Sequence, residues 1–378
     1  MRRGDARTVA QTAPGRRTKP AVPVPGDSDT AEQRGGSVAS DNSSDGGGKR
    51  GDPLRGRYGV HRPRWSGYTA FVLSGGGARG ALQVGALRAL LEAGERPDVV
   101  IGTSIGAWNG ALLARDPTLD GVEVIAEAWR GAHPARVLLG VEPPASSPAQ
   151  AVAAMRALTA VRRLAAGQPS LYSDAGMRQL IGGLLGRTRF EELAVPLRVI
   201  ATDITHGTRA VFGGGPVAPA VLASSAIPGI FPPVRLGSSV YVDGGALDNA
   251  SIETALALGA RRIFVLDVGY DGRGSHASLW SEVRPRDGAP RRSAGVLSVA
   301  AVLERTTQVV SRYQLNRALH RVPAGIEVHV LSVGASASGG ALEFEKARRW
   351  IETGYAFTLD YLAQARAQER AATTASPR

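Results

Sequence analysis

A serine lies in the sequence Gly102-Thr103-Ser104-Ile105-Gly106, a G-x-S-x-G pattern that connects a predicted apolar strand to a predicted helix. A turn this tight forces the serine into a strained backbone conformation and exposes its hydroxyl above the sheet. The N-terminus of the helix that follows favours negative charge near that hydroxyl. Ser104 is therefore a candidate nucleophile. A plain packing turn would have the same pattern in a chain with 48 glycines, so the pentapeptide alone is a weak signal.

A serine needs a base to attack at neutral pH, and the sequence offers two kinds. The first is Asp243, in Asp243-Gly244-Gly245 at the end of a predicted strand, where the active sites of α/β domains assemble. Burial there would raise the pKa of its carboxyl enough for proton exchange. The second is His276, in a polar loop after Asp267, which would complete a Ser-Asp-His triad. On these residues alone a dyad and a triad both stay open.

A glycine-rich loop, Gly75-Gly76-Gly77-Ala78-Arg79-Gly80, lies between a predicted strand and a predicted helix. Its unobstructed backbone N–H groups can bind an anion, such as the oxyanion of acyl transfer, and each donor typically contributes ~3 kcal/mol. The loop also fits G-x-G-x-x-G, the dinucleotide-binding pattern. That function requires an acidic residue at the carboxyl end of the next strand. The carboxyl end of that strand is occupied by Gly102-Thr103-Ser104, and Asp98 lies at the opposite end. We therefore favour oxyanion binding over dinucleotide binding for this loop.

The elements that must position these residues alternate between apolar strands and helices, which predicts a three-layer α/β/α domain around a central mixed, mostly parallel sheet. The predicted strands are 69–74, 99–101, 197–202, 209–212, 239–242, 262–268 and 326–333. A long helical insertion over residues 133–190 interrupts this alternation. It suits a cover over an apolar acyl chain, and a plain structural crossover fits the insertion equally well.

Composition divides the chain into three parts. Residues 1–66 hold thirteen Lys/Arg and seven Asp/Glu with almost no large apolar side chains, which predicts a disordered basic tail. Residues 67–366 form the predicted domain, and residues 367–378 a disordered C-terminal tail. The chain contains no cysteine, no apolar run long enough to span a membrane and no secretory signal after Met1.

The formal net charge of +12 predicts weak attraction to anionic membrane surfaces. No aromatic residue interleaves with the basic residues before Tyr58, and no nucleic-acid-binding motif is present, so we expect no nucleic-acid partner. We expect a cytoplasmic location with transient peripheral contact with membranes.

In chain order, four segments together resemble the patatin-like phospholipase family: Gly75–Gly80, Gly102–Ala107, Ala223–Val234 and Asp243–Gly245. The resemblance covers residues 69–268 and, more loosely, the rest of the chain. It implies a Ser–Asp dyad with Ser104 as nucleophile and Asp243 as base, and lipid acyl hydrolysis of the phospholipase A or lysophospholipase type without a metal or other cofactor. It also implies an oxyanion hole at Gly75, Gly76 and Gly77, supported by Arg79, Gly80, Gly102, Gly106, Gly244 and Gly245.

One feature departs from the family pattern. Many members have Asn-x-Pro after the Asp-Gly-Gly turn, whereas here Asn249 is followed by Ala250-Ser251. Two other functions remain as alternatives, namely a general esterase or thioesterase with a Ser-Asp-His triad and a non-catalytic lipid-binding protein on the same fold. Head group, sn position and chain length have no readable code in the sequence.

Overall fold

The structure, a computed structural model, describes residues 68–142, 149–269, 299–336 and 343–375. The predicted N-terminal tail of residues 1–66 and the candidate base His276 lie outside these ranges. None of the helices described has the length and apolarity to cross a bilayer.

One mixed sheet organises the described residues. Its order is β5-β6-β3-β2-β1-β7-β8, with β4 paired to β3. Strands β3, β2, β1, β7 and β8 run parallel to one another, whereas β4 and β6 pair antiparallel with β3, and β5 pairs antiparallel with β6. The strands are β1 (Thr69–Leu73), β2 (Val99–Thr103), β3 (Leu197–Asp203), β4 (Thr208–Phe212), β5 (Val234–Leu236), β6 (Ser239–Asp243), β7 (Arg262–Leu266) and β8 (Glu327–Leu331).

The helices of the described residues connect these strands and extend the chain at its C-terminal end. They are α1 (Gly80–Glu92), α2 (Ile105–Arg115), α3 (Leu119–Arg130), α4 (Ala149–Ala165), α5 (Ala175–Leu185), α6 (Val217–Ser224), α7 (Ile252–Ala257), α8 (Val299–Leu319) and α9 (Ala347–Ala375).

Both faces of the sheet are buried, as the alternation of side chains in β1 requires. Phe71 and Leu73 belong to a large apolar cluster with α1, α2 and α3, which Trp350 of α9 joins. Ala70 and Val72 point into a second cluster, shared with Ile252 of α7 and with α8. Two helical layers therefore enclose one mixed sheet, and the predicted three-layer α/β/α fold is confirmed.

Strands β2 and β6 meet end to end on one edge of β3. Residues 199–203 of β3 pair with β4 on the other edge, so β2 and β6 share the remaining edge. Thr103 at the end of β2 is opposite Ile200, and Asp243 at the end of β6 is opposite the next residue, Ala201. The residue that follows β2 therefore lies beside the last residue of β6, although 139 positions separate them in the sequence.

The predicted C-terminal tail is wrong over most of its length. Helix α9 runs to Ala375, whereas the tail was predicted to begin at residue 367. The physical reason is intrinsic propensity, because residues 363–372 consist of alanine, glutamine, arginine and glutamate, which favour the helical backbone. Low apolar content in this segment was a poor guide to the end of a helix.

Candidate active site

Ser104 occupies the turn between β2 and α2. Its backbone has a φ of 55° and a ψ of −125°, and among the described residues it is the one non-glycine residue with positive φ. Such a backbone conformation costs about 1–3 kcal/mol. The neighbouring glycines permit the turn by allowing close backbone approach. A Cβ on Gly106 would lie 2.2 Å from the Leu73 carbonyl oxygen, and one on Gly102 would lie 2.4 Å from the Gly106 carbonyl oxygen.

The Ser104 hydroxyl donates a hydrogen bond of 2.5 Å to Oδ2 of Asp243. The other carboxylate oxygen, Oδ1, accepts the Gly245 N–H at 2.8 Å, which fixes the plane of the carboxylate. Gly244 packs closely behind it, because a Cβ there would lie 2.4 Å from the Ile200 carbonyl oxygen. The serine hydroxyl is thus within proton-transfer distance of a carboxylate whose rotamer is held.

Burial raises the pKa of Asp243 from 3.8 to about 6, and the hydrogen bonds from Ser104 and Gly245 partly oppose this shift. Desolvation disfavours the carboxylate form, so the group gains basicity while it stays ionised at neutral pH. A carboxylate with this pKa suits general-base chemistry near pH 7 better than an ordinary aspartate does.

No described histidine contacts Ser104 or Asp243. His206 pairs with Asp203 at 2.8 Å, His329 stacks on Phe264, and the other two described histidines, His133 and His320, bond to nearby backbone. His276 lies outside the described residues. Within those residues, the arrangement corresponds to the dyad rather than the triad; the roles of Ser104 and Asp243 remain predictions.

The glycine loop lies next to Ser104, but its first residue is already engaged. The Gly75 N–H is directed at the carbonyl oxygen and the Oδ1 of Asn249, at 3.3 and 3.1 Å, and the Asn249 amide donates back to the Gly75 carbonyl. Gly75 as an oxyanion donor stays a prediction, and in that role its N–H would have to leave the pairing with Asn249. Gly76 and Gly77, at the start of a short 3-10 turn, stay the candidate donors, and Gly77 lines a cavity with Ser104.

Arg79 is buried behind this loop and does not reach into the cavity as a lining residue. Its charge acts on Asp267, the buried aspartate after β7, whose Oδ2 is also 3.6 Å from the Arg312 guanidinium. The predicted supporting residue Gly80 packs against Ile105 and Trp129, where a Cβ would lie 2.5 and 2.9 Å away. The supporting roles of Arg79 and Gly80 stay predictions.

Two further residues position the site, and sequence reasoning did not identify their roles. The Ser224 hydroxyl accepts the Ser104 N–H at 2.8 Å and donates to the Ile200 carbonyl, which anchors the strained turn to β3. Asn249 holds Gly75 as described above. Their signal was present, since Ser224 lies in the third of the four family-like segments and Asn249 follows the Asp-Gly-Gly turn.

A cavity of about 260 Å³ opens from Ser104 and is almost entirely apolar. Its walls include Trp108 and Phe231 and, from the helical insertion, Leu138, Met177 and Leu180. The insertion thus supplies one wall of the cavity, as expected of a cover. Ser225, whose buried hydroxyl has no hydrogen-bond partner among the described residues, also lines it.

The sequence model of the patatin-like phospholipase family matches residues 71–256. These residues form a patatin-like phospholipase domain. The match includes Ser104, Asp243 and the glycine loop, and the predicted family resemblance is confirmed.

Curated relatives share this domain but are much longer proteins. "Patatin-like phospholipase domain-containing protein 7" of Mus musculus is 32% identical over 202 residues, which is 53% of this chain and 13% of that protein. "Lysophospholipase nte1" of Aspergillus terreus is 32% identical over 200 residues, 52% of this chain and 12% of that protein. The aligned region therefore spans about an eighth of these relatives.

Among solved structures, VipD from Legionella pneumophila has a TM-score of 0.41 and 19% identity, over 79% of this chain and 67% of that one. The strand order and the two buried faces of the sheet establish the three-layer fold independently of this weak similarity.

Proposed function

We propose that this protein is a lipid acyl hydrolase of the phospholipase A or lysophospholipase type, which cleaves carboxylic esters with a Ser104–Asp243 dyad. The observation that carries the proposal is the hydrogen bond from Ser104 Oγ to a buried carboxylate, at the edge of an apolar cavity. The match to the patatin-like phospholipase family supports the same chemistry. In the acyl-transfer step, Asp243 takes the proton of Ser104 as Oγ attacks the ester carbonyl carbon.

The tetrahedral intermediate that follows carries its negative charge on the former carbonyl oxygen. We propose that the N–H groups of Gly76 and Gly77, with the N-terminus of α2, stabilise this oxyanion. Collapse of the intermediate breaks the bond to the alcohol oxygen, which takes the proton from Asp243 and leaves as an alcohol. An acyl group then remains esterified to Ser104.

Water completes the cycle by the same route. Asp243 accepts a proton from water as the water oxygen attacks the acyl carbon, and the bond to Ser104 Oγ breaks. The serine oxygen regains that proton, and a fatty acid is released. The net reaction consumes one ester and one water and yields one acid and one alcohol.

The cavity favours one acyl chain over two. Its volume of about 260 Å³ is slightly below that of ordinary small-molecule sites, which are roughly 300–1,000 Å³. Its walls offer apolar side chains for a hydrocarbon, and the Ser225 hydroxyl is available to an ester oxygen. A lysophospholipid fits these features better than a substrate that must bury two chains, and "Lysophospholipase nte1" is the name of one relative. A cytoplasmic location with transient membrane contact stays a prediction.

The experiment compares wild type, Ser104→Ala and Ser238→Ala on a soluble short-chain p-nitrophenyl ester and on a lysophospholipid panel analysed by mass spectrometry. We expect Ser104→Ala to lower kcat by ~10⁴-fold while the thermal unfolding midpoint is retained. Ser238→Ala removes an exposed hydroxyl in the turn between β5 and β6 and serves as the matched serine control with near wild-type turnover.

Two results would contradict the proposal. Equal turnover by wild type and Ser104→Ala, or none by either on any ester, would favour the non-catalytic lipid-binding protein. Turnover that depends on Ser104 but is restricted to soluble esters and thioesters would favour the general esterase instead.

A further inference from the structure

Helix α4 exposes an apolar side to solvent. Three large apolar side chains, Leu158, Val161 and Leu164, are between 51% and 63% exposed. They follow one another at every third position and cover about 120° of the helix surface. We call these three residues the apolar face of α4. Val152, two and a half turns before Val161 and thus on the opposite side of the helix, is buried, so the helix is attached to the domain by that side.

The segment that contains this face carries charge of one sign. Between Glu142 and Asp174 the sequence contains three arginines and no acidic residue. Arg162 is exposed and, four residues after Leu158, borders the apolar face, whereas Arg163 bonds to Ser170. An apolar helix face with cationic residues and no carboxylates is typical of helices that lie in a membrane interface.

The position of α4 connects this face with the cavity. The helix contacts the helical turn at Ala135–Leu139, which supplies Val137 and Leu138 to the cavity wall. A lipid that leaves a bilayer at the apolar face is thus close to the wall of the cavity that opens on Ser104.

We propose that the apolar face of α4 is the surface by which this protein docks on anionic lipid membranes. The three apolar side chains enter the interface between headgroups and acyl chains, and Arg162 meets lipid phosphates. A second copy of this chain is a poorer occupant, because two such faces would bring like charges together without a carboxylate to pair them. The proposal depends on the proposed function only in that lipid is the substrate.

The test measures binding without turnover. The full chain with Ser104→Ala is sedimented with vesicles of phosphatidylcholine alone or mixed about two to one with phosphatidylglycerol. We expect stronger binding to the anionic vesicles, and a loss of about tenfold or more when Leu158→Gln, Val161→Gln and Leu164→Gln are added. Arg162→Gln should reduce only the preference for anionic vesicles and its sensitivity to salt.

The matched control is Val309→Gln with Val310→Gln, since these valines are also exposed but lie on α8, which packs on the other face of the sheet. This variant should bind vesicles like its parent. The α4 triple substitution in an otherwise wild-type chain should hydrolyse a soluble short-chain ester at the wild-type rate, which separates membrane docking from the dyad.

Three results would overturn the docking proposal. They are vesicle binding that survives the α4 triple substitution, an equal loss in the α8 control, and a dimer in light scattering that the α4 substitutions dissociate without any vesicle binding by the parent. Loss of soluble-ester turnover in Ser104→Ala would be unaffected by any of these, so the two proposals fail separately.

Discussion

Two aspartates, Asp243 at the end of β6 and Asp267 directly after β7, occupy similar places and differ in what they touch. Each is buried at a strand end beside a glycine-rich segment, and burial raises the pKa of each. Asp243 accepts the Ser104 hydroxyl and forms no ion pair with a described residue. Asp267 instead meets the charges of Arg79 and Arg312 and the hydroxyl of Ser74.

Burial and a raised pKa therefore do not by themselves identify a catalytic carboxylate. A base must reach the proton that it takes, and only Asp243 is within hydrogen-bond distance of Ser104. Asp267 acts as a counter-ion beneath the glycine loop, where its arginine partners lie away from the cavity.

The largest expected effect separates the two aspartates by turnover. Asp243→Asn should lower kcat on a soluble ester by ~10³-fold or more, because the amide cannot accept the serine proton. Asp267→Asn keeps shape and hydrogen-bonding capacity and should lower kcat by less than about tenfold. Steady-state kinetics with circular dichroism as a folding control measures both. Similar losses of kcat in the two variants would contradict the assignment of Asp243, and not Asp267, as the base.

A smaller effect concerns the free energy of unfolding. The folded-state pKa of Asp243, about 6, lies above its ordinary 3.8, so its contribution to stability is full below pH 3.8 and is lost as pH rises through 6. Asparagine does not titrate. As the pH rises from 4 to 8, the free energy of unfolding of Asp243→Asn should therefore increase by about 3 kcal/mol relative to that of wild type. Urea unfolding at several pH values measures the gain, and a constant difference across this range would contradict the pKa shift.

The smallest effect is the pH dependence of turnover. The base must be ionised, so kcat/KM of wild type should fall by about tenfold for each pH unit below the pKa of Asp243, near 6. His276→Ala should leave both the rate and this acid limb unchanged. A triad is supported instead if His276→Ala abolishes turnover, and a profile that stays flat to pH 4.5 would exclude Asp243 as the titrating base.

The family, the layered fold and the main candidate residues could all be predicted from local sequence. Apolar runs of strand length, helices between them and glycines at fixed spacing are properties of short segments, and they predict a mixed α/β domain with a strained serine turn. Local composition failed at the C-terminal end, where alanine, glutamine and arginine without apolar periodicity continue α9 to Ala375.

Which side chains and backbone groups come into contact depends on the tertiary structure. Strands β2 and β6 both pair with the same edge of β3, and this arrangement puts Ser104 beside Asp243. No local sequence pattern encodes that register. The engagement of the Gly75 N–H by Asn249, 174 residues away, likewise depends on packing between distant segments. Sequence patterns report short-range backbone preferences and burial, whereas hydrogen-bond partners and cavity walls depend on long-range contacts that form only when the whole sheet assembles.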